Sequence, residues 1–222
     1  MHFPKIAALA LCALLAIAVR GDWNARLTVS PSGSHIIGNP AATTRLTEYI
    51  SYTCSHCADF DRQASDPLRL VYVTSGKLSL EIRHLVRDPI DLAVAMLTNC
   101  GPPAKFLQNH TTFLRQQAQW LGRAGSVSPG QKARWSSGPV ATRRRAMADD
   151  LGFYQTMQAR GYDRPAVDRC LADEAMASRL AEQTDEAVRI GVPGTPSFLI
   201  NGELLAGTHD WQTLQAQLKA RL

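Results

Sequence analysis

Hydrophobic residues in the first third of the chain follow a strand pattern, then a helix pattern, then a strand pattern again. Residues 44–52 are rich in β-branched and aromatic side chains, which predicts a buried strand. From residue 57 the hydrophobic positions recur every three or four residues, as on one face of a helix. Alternation returns at residues 78–86 and predicts another strand. A short strand is also predicted at residues 35–37.

The middle of the chain favours helix and shows no strand pattern. Helices are predicted at residues 91–100, 104–121, 141–154 and 165–172. A Gly-Pro-Pro run at 101–103 and the glycine- and serine-rich residues 122–138 are predicted to separate them. We interpret this block as a helical insertion.

The C-terminal part returns to mixed helix and strand. The predicted elements are a helix at 173–190, strands at 197–200 and 203–206, and a helix at 210–221. Asn201-Gly202 is typical of a two-residue hairpin turn. The whole order predicts an α/β fold around one sheet, with helices interposed between its two halves.

Composition agrees with one globular domain that carries an insertion. The chain has 222 residues, of which 45% are hydrophobic and 19% charged, and these values are ordinary for a protein with a packed core. The formal net charge of +5 is too small and too dispersed to indicate a nucleic-acid partner.

The N-terminus has the layout of a secretory signal peptide. One lysine in residues 1–5 precedes an apolar run at 6–18, which ends in the small residues Ala16-Ile17-Ala18. We therefore predict a signal peptide at 1–18, a leader at 19–34 and export of the rest of the chain. The alternative is an uncleaved membrane anchor, although the run is shorter than the roughly 20 residues that span a bilayer.

The sequence Cys54-Ser55-His56-Cys57 lies between a predicted strand and a predicted helix. A helix N-terminus presents free N–H groups and the positive end of the helix dipole, and both stabilise a thiolate. Cys54 is therefore predicted to be the attacking sulfur and Cys57 the resolving one. A cationic or hydrogen-bonding His56 would stabilise the thiolate further. Because a stabilised thiolate favours the reduced form, the disulfide is expected to be oxidising.

Two other interpretations of this pair remain open. Cys54 and Cys57 could form an inert bridge, or they could bind a metal ion together with His56. A zinc ribbon requires a second closely spaced cysteine pair, and Cys100 and Cys170 are far apart in the sequence.

Two motifs together resemble the DsbA family of periplasmic disulfide oxidoreductases. The first extends from Glu48 to Cys57, and the second is the Gly-Val-Pro-Gly-Thr-Pro-Ser-Phe-Leu-Ile-Asn-Gly sequence at 191–202. The resemblance implies a thioredoxin fold with an inserted helical domain. The corresponding boundaries are 35–87 plus 173–222 for the thioredoxin-like domain and 88–172 for the helical insertion.

The resemblance also implies roles for individual residues. Cys54 matches the nucleophile of the family, Cys57 its partner, and Pro196 its cis-proline. Pro196 would turn the backbone of Thr195 toward the sulfurs, where a substrate peptide could pair with it as an added strand. Glu48 corresponds to a buried carboxylate that exchanges a proton with the inner thiol, and a solvated surface glutamate is the alternative.

The implied activity is the transfer of disulfides to newly exported, cysteine-containing proteins by a monomer. The implied partner for reoxidation is a membrane quinone reductase of the DsbB type, and the implied redox group is the Cys54–Cys57 disulfide, without a separate cofactor or metal. Ser55 and Thr195 depart from the enteric form of the family, so a reductase or isomerase is the alternative. A non-catalytic metal binder or a chaperone-like module would be a different class of function.

Cys100 and Cys170 both lie in the predicted helical block. Bridging them would close a loop of about 71 residues, which the chain-entropy model values at about 4 kcal/mol. We predict a structural disulfide, with a bridge that tunes the active pair as the alternative.

Overall fold

The structure, a computed structural model, describes residues 22–222. The predicted signal peptide at 1–18 and the first residues of the predicted leader lie outside this range. Within it the chain forms one mixed six-stranded sheet that carries helices on both faces.

The sheet has the strand order β1-β2-β4-β3-β5-β6. The strands are β1 (Leu27–Val29), β2 (His35–Gly38), β3 (Thr44–Ile50), β4 (Leu78–His84), β5 (Ser197–Ile200) and β6 (Glu203–Leu204). β3 and β4 are parallel and the other neighbours are antiparallel. This arrangement puts β3, which leads into the cysteine motif, at the centre of the sheet.

One strand lies within the predicted leader. Leu27–Val29 pairs antiparallel with β2, and both Trp23 and Leu27 pack against the core. Burial of these two side chains accounts for the ordered edge strand. This part of the leader is therefore integrated into the sheet.

Helices form the rest of the described chain. They are α1 (Ser55–Pro67), α2 (Pro89–Thr98), α3 (Phe106–Arg115), α4 (Gln117–Ser126), α5 (Pro129–Ser136), α6 (Val140–Asp150), α7 (Phe153–Ala159), α8 (Arg164–Leu171), α9 (Glu174–Arg189) and α10 (Trp211–Lys219), with a π-helical turn at Leu68–Val73 and a 3-10 turn at Pro103–Lys105. No helix in residues 22–222 has both the length and the apolar character needed to cross a membrane.

The helical block differs from its prediction in three places, the first of which is the predicted helix at 104–121, divided at Gln116 into α3 and α4. Residues 122–138 are not only a connection, because α4 continues to Ser126 and α5 forms beyond it. Ser128 and Gln131 make a capping box at the start of α5, which compensates for the weak helix propensity of this segment. The helix predicted at 141–154 ends early, because Gly152 adopts a φ of 81° that favours glycine.

β3 is buried on both sides. Leu46 and Ile50 belong to the large core that joins the sheet to the helical block. Tyr49 faces the opposite side and packs against Ala187 and Leu199. A polar side chain on the Leu46 side of this strand is therefore enclosed by protein, and Glu48 is such a side chain.

Candidate active site

Cys54 immediately precedes α1. It is the N-cap residue, with φ −92° and ψ 115°, and no side chain caps the helix there. The free N–H groups of the first turn therefore point toward the cysteine motif. The strand-to-helix connection that the sequence predicted is the one that the structure shows.

The two cysteines differ in exposure and both are free thiols in this structure. Cys54 is 5% exposed and Cys57 is fully buried. The Sγ of Cys54 donates a hydrogen bond to the carbonyl oxygen of Thr195 at 3.1 Å. The Thr195-Pro196 peptide bond is cis, so the loop before β5 brings a backbone carbonyl against the outer sulfur.

The environments of the two thiols shift their pKa values in opposite directions. The hydrogen bond from Cys57 is the main cause that lowers the pKa of Cys54 to about 4, and the backbone N–H groups of Cys57 and His56 add to it. Burial is the main cause that raises the pKa of Cys57 well above its usual value. The opposite shifts mean that the outer sulfur gives up its proton at a much lower pH than the inner one.

Three side chains from outside the motif, two of them buried, hold the turn before Cys54. Gln117 of α4 donates its Nε2 to the carbonyl oxygens of Tyr52, at 2.6 Å, and Cys54, at 2.8 Å. Asp91 of α2 accepts hydrogen bonds from the Ser51 hydroxyl at 2.6 Å and the Tyr52 N–H at 2.7 Å. Thr53 donates its hydroxyl to Asp88 at 2.7 Å.

No pattern in the sequence indicates these contacts. Gln117 and Asp91 lie in the helical block, and only the packing of α2 and α4 brings them to the motif. The carboxyl group of Asp91 has a pKa raised to about 6, mainly by burial. The helical block therefore contributes directly to the shape of the site.

Glu48 lies on β3 inside the core and is 5% exposed. Burial is the main cause that raises the pKa of its carboxyl group to about 8, and the negative charge of Asp61 adds to it. A cavity of about 20 Å³ borders Glu48, Asp61 and His110, which is room for one water molecule. Burial favours the core interpretation of Glu48 over the solvated one.

Asp61 connects this interior to the surface. Its carboxylate lies 4.0 Å from Nε2 of His110 and 3.8 Å from the Nε of Arg115, a side chain that is 56% exposed. His110 in turn shares a 2.9 Å hydrogen bond with the Tyr52 hydroxyl. A signal for Asp61 was present in the sequence, because it lies one helical turn after Cys57.

The Glu48→Gln variant is expected to change how stability depends on pH. In the folded protein a pKa near 8 keeps Glu48 protonated, whereas the unfolded chain ionises near 4.5. Between these values unfolding releases a proton, so this residue makes the protein less stable as the pH rises, by up to about 1.4 kcal/mol per pH unit.

Urea denaturation of the reduced protein across this pH range tests the prediction. The variant should gain stability over the wild type as the pH rises, with no further gain above about 8. Glu203→Gln, at an exposed glutamate, is the control. Parallel curves for wild type and Glu48→Gln would contradict a buried, protonated Glu48.

His56 and Ser55 lie on the outside of the motif. Both are exposed, and the His56 side chain makes no hydrogen bond within residues 22–222. The contribution of His56 to the pKa of Cys54 in this structure comes from its backbone N–H. Within the same range no group of three or more His, Cys, Asp or Glu side chains is arranged to hold a metal ion.

Cys100 and Cys170 form a disulfide within the helical block. Cys100 follows α2 and is 2% exposed, and Cys170 lies in α8. The Tyr162 hydroxyl donates to the carbonyl oxygen of Cys100 at 2.7 Å. The bridge joins the helix that carries Asp91 to the end of the helical block.

A sheet of this topology, with a dithiol at the start of the first long helix, is characteristic of thioredoxin-like proteins. The family model described as thioredoxin matches residues 30–220, and the chain belongs to this family. The resemblance to DsbA-like proteins and the predicted fold class, a thioredoxin fold with an inserted helical domain, are both confirmed.

Solved structures support the same classification. A protein-disulfide isomerase from Novosphingobium aromaticivorans is 52% identical, with a TM-score of 0.81 over 85% of this chain and 97% of that one. The α-DsbA1 of Wolbachia pipientis is 19% identical, with a TM-score of 0.66 over 86% of this chain and 92% of that one, and it shares the fold.

Curated relatives are longer than this chain. A candidate protein-disulfide oxidoreductase of Rickettsia prowazekii is 26% identical over 169 residues, which are 75% of this chain and 54% of the relative. The chain spans about half the length of the curated relatives it matches.

Proposed function

We propose that the protein is an exported thiol–disulfide oxidoreductase of the DsbA type, which oxidises client dithiols through Cys54 and Cys57. The observation that carries the proposal is the asymmetry of the pair. Cys54 lies at the start of α1 against the Thr195 carbonyl, and Cys57 is buried behind it. The names of the relatives, which include an oxidoreductase and an isomerase, agree with chemistry at this pair.

The proposed reaction begins with the Cys54–Cys57 disulfide. A client thiolate attacks the Sγ of Cys54, the bond to Cys57 breaks, and Cys57 takes up a proton. A second client thiolate attacks the client sulfur of the mixed disulfide, and Cys54 leaves as a thiolate. Two electrons pass from the client to the protein, and the low pKa of Cys54 makes it a good leaving group.

Glu48 is the proposed proton carrier for Cys57. A carboxyl group with a pKa of about 8 holds a proton at neutral pH and can give it to the departing sulfur. The cavity that Glu48 shares with Asp61 offers a position for the water molecule that would return this proton from solvent.

Thr195 and Pro196 form the proposed binding edge for the client backbone. The Thr195 carbonyl oxygen lies 3.1 Å from the Sγ of Cys54, so a client in extended conformation can pair with this backbone beside the reacting sulfur. A monomer suffices for the reaction. A DsbB-type membrane quinone reductase in the periplasm would restore the disulfide, and this last step rests on the resemblance and the predicted signal peptide.

The redox equilibrium of the pair against glutathione tests the direction of the reaction. We expect a potential more oxidising than about −180 mV, because a stabilised thiolate favours the reduced state. A value near −270 mV, as for a reducing thioredoxin, would contradict the oxidase proposal. Refolding of a scrambled disulfide protein, with and without added oxidant, would then distinguish an isomerase from a reductase.

A further inference from the structure

A second concave surface lies near the cysteine motif, between the start of α2 and the helices α5 and α6. We call it the α2–α6 groove. Its volume is about 400 Å³, and its walls are mostly apolar. The apolar lining consists of Val86, Pro89, Leu92, Trp135, Val140 and Met147.

The apolar wall is fixed in place. The indole Nε1 of Trp135 donates to Asp150 at 2.8 Å, and the same carboxylate accepts from Arg134 at 2.7 Å and Gln131 at 3.0 Å. These bonds attach α5 to the end of α6. Val140, on the rim, remains 40% exposed. The groove is thus a preformed apolar surface that is open to solvent, and such surfaces commonly mark binding sites.

The polar lining carries an excess of positive charge. Arg144 is paired with Glu174 at 2.7 Å, but neither Arg87 nor Arg143 makes an ion pair within residues 22–222. The Nε of Arg143 is buried and has no hydrogen-bond partner there. The acidic lining residue, Asp88, already accepts bonds from the first N–H groups of α2 and from Thr53.

The same Asp88 connects the groove to the cysteine motif. Its carboxylate accepts the 2.7 Å hydrogen bond from the hydroxyl of Thr53, the residue that precedes Cys54. An extended chain advances about 3.3 Å per residue. A client attached to Cys54 can therefore place a segment only a few residues from its own cysteine in the groove.

We propose that the α2–α6 groove is a second binding site for the client polypeptide, beside the pairing edge at Thr195. It would take an extended segment with an apolar side chain between Leu92 and Val140 and an acidic side chain at Arg143. The proposal rests on the proposed function, since it assigns the groove to the substrate of the same reaction. The groove would make the protein prefer clients with this pattern near the reactive cysteine.

Two dithiol peptides that differ near one cysteine test the proposal. One carries leucine and glutamate a few residues from the cysteine, and the other carries serine and lysine. The oxidised protein should oxidise the first peptide about tenfold faster at low concentration, since a well-placed apolar or charged contact contributes about 1.4 kcal/mol or more. Equal rates would overturn the proposal.

Charge reversal at Arg143 makes the test specific. Arg143→Glu should lower the rate at which the leucine–glutamate peptide is oxidised. The same variant should oxidise a leucine–lysine peptide at about the rate of the original pair. Arg145→Glu is the matched control, because it makes the same change on α6 outside the groove lining. An equal loss in the control, or no loss in Arg143→Glu, would overturn the proposal and leave the groove to another occupant, such as a loop of the membrane partner.

Reaction with a small dithiol separates this proposal from the proposed function. Dithiothreitol cannot reach from Cys54 into the groove. The Arg143→Glu and Arg145→Glu proteins should therefore oxidise it at the wild-type rate. Failure of the wild type to oxidise dithiothreitol would contradict the oxidoreductase proposal itself. Normal oxidation of dithiothreitol without peptide preference would contradict only the groove.

Discussion

Replacing Cys54 by serine is expected to abolish thiol–disulfide exchange, whereas a Cys57→Ser variant that attacks a client disulfide through Cys54 should stay trapped as the mixed disulfide. The reason is the division of roles between the two sulfurs. Cys54 is the thiolate at the start of α1 and faces Thr195, while Cys57 is fully buried. When the Cys54 thiolate displaces one sulfur of a client disulfide, the mixed disulfide that forms has no internal thiol to resolve it in the absence of Cys57.

Alkylation of the reduced protein with iodoacetamide measures the roles separately. At neutral pH the reagent should modify Cys54 and leave Cys57 unmodified. The rate for Cys54 should fall as the pH drops below its pKa of about 4. A Cys57→Ala variant, which has no donor at this position, should lose reactivity at a higher pH, because the hydrogen bond from the Cys57 thiol is the main cause of the low pKa.

The lowered pKa of Cys54 also makes the stability of the reduced protein depend on pH. The ordinary pKa of a thiol is near 9.0, and the folded protein lowers that of Cys54 to about 4. The thiolate therefore stabilises the reduced fold fully above the ordinary value, less as the pH falls, and not at all below about 4.

In the alkylation experiment, faster modification of Cys57 than of Cys54 would contradict the assignment of roles to the two sulfurs.

Removing the Cys100–Cys170 disulfide is expected to lower the free energy of unfolding by about 4 kcal/mol. The two cysteines are 70 positions apart, so the bridge restricts a long loop of the unfolded chain. It also connects α2 to α8, and α2 carries Asp91. Urea denaturation of a double Cys100→Ala/Cys170→Ala variant and of the wild type measures the loss. The Cys54–Cys57 pair is kept oxidised in both proteins.

The potential of the active pair in this variant distinguishes the two roles that the sequence left open. An unchanged potential would support a purely structural bridge. A shift would support a tuning role, transmitted through α2 to Asp91 and its contact with the turn at Ser51. A double variant as stable as the wild type would contradict the expected structural contribution.

The local signals of the sequence were sufficient for the fold and for the position of the cysteine pair. Residues close together in the chain determine the strand and helix periods around residue 57. They also determine the turn at Asn201-Gly202, so both features can be recognised in the sequence. Both turn residues indeed adopt positive φ angles, 51° and 88°, as this type of hairpin requires. The cis geometry at Pro196 could be anticipated only from the resemblance.

The missed parts of the site depend on packing between distant segments. Gln117 reaches a carbonyl group 65 positions away, and no periodicity in α4 indicates that contact. The α5 helix was missed for a similar reason, because its attachment rests on Asp150 of α6. Glycine and serine in residues 122–138 favour a loop locally, and tertiary contacts override that preference.

The double hydrogen bond of Gln117 determines how the protein can be engineered. One amide group binds the carbonyl oxygens on both sides of Thr53, so the insertion is not a detachable module. Shortening the chain to its thioredoxin-like part would remove the side-chain donor from both carbonyl oxygens, and only that of Cys54 would keep the backbone donors of α1. A minimal version of the protein would therefore need a substitute donor at this point, and a graft of the cysteine motif into another scaffold would need one too.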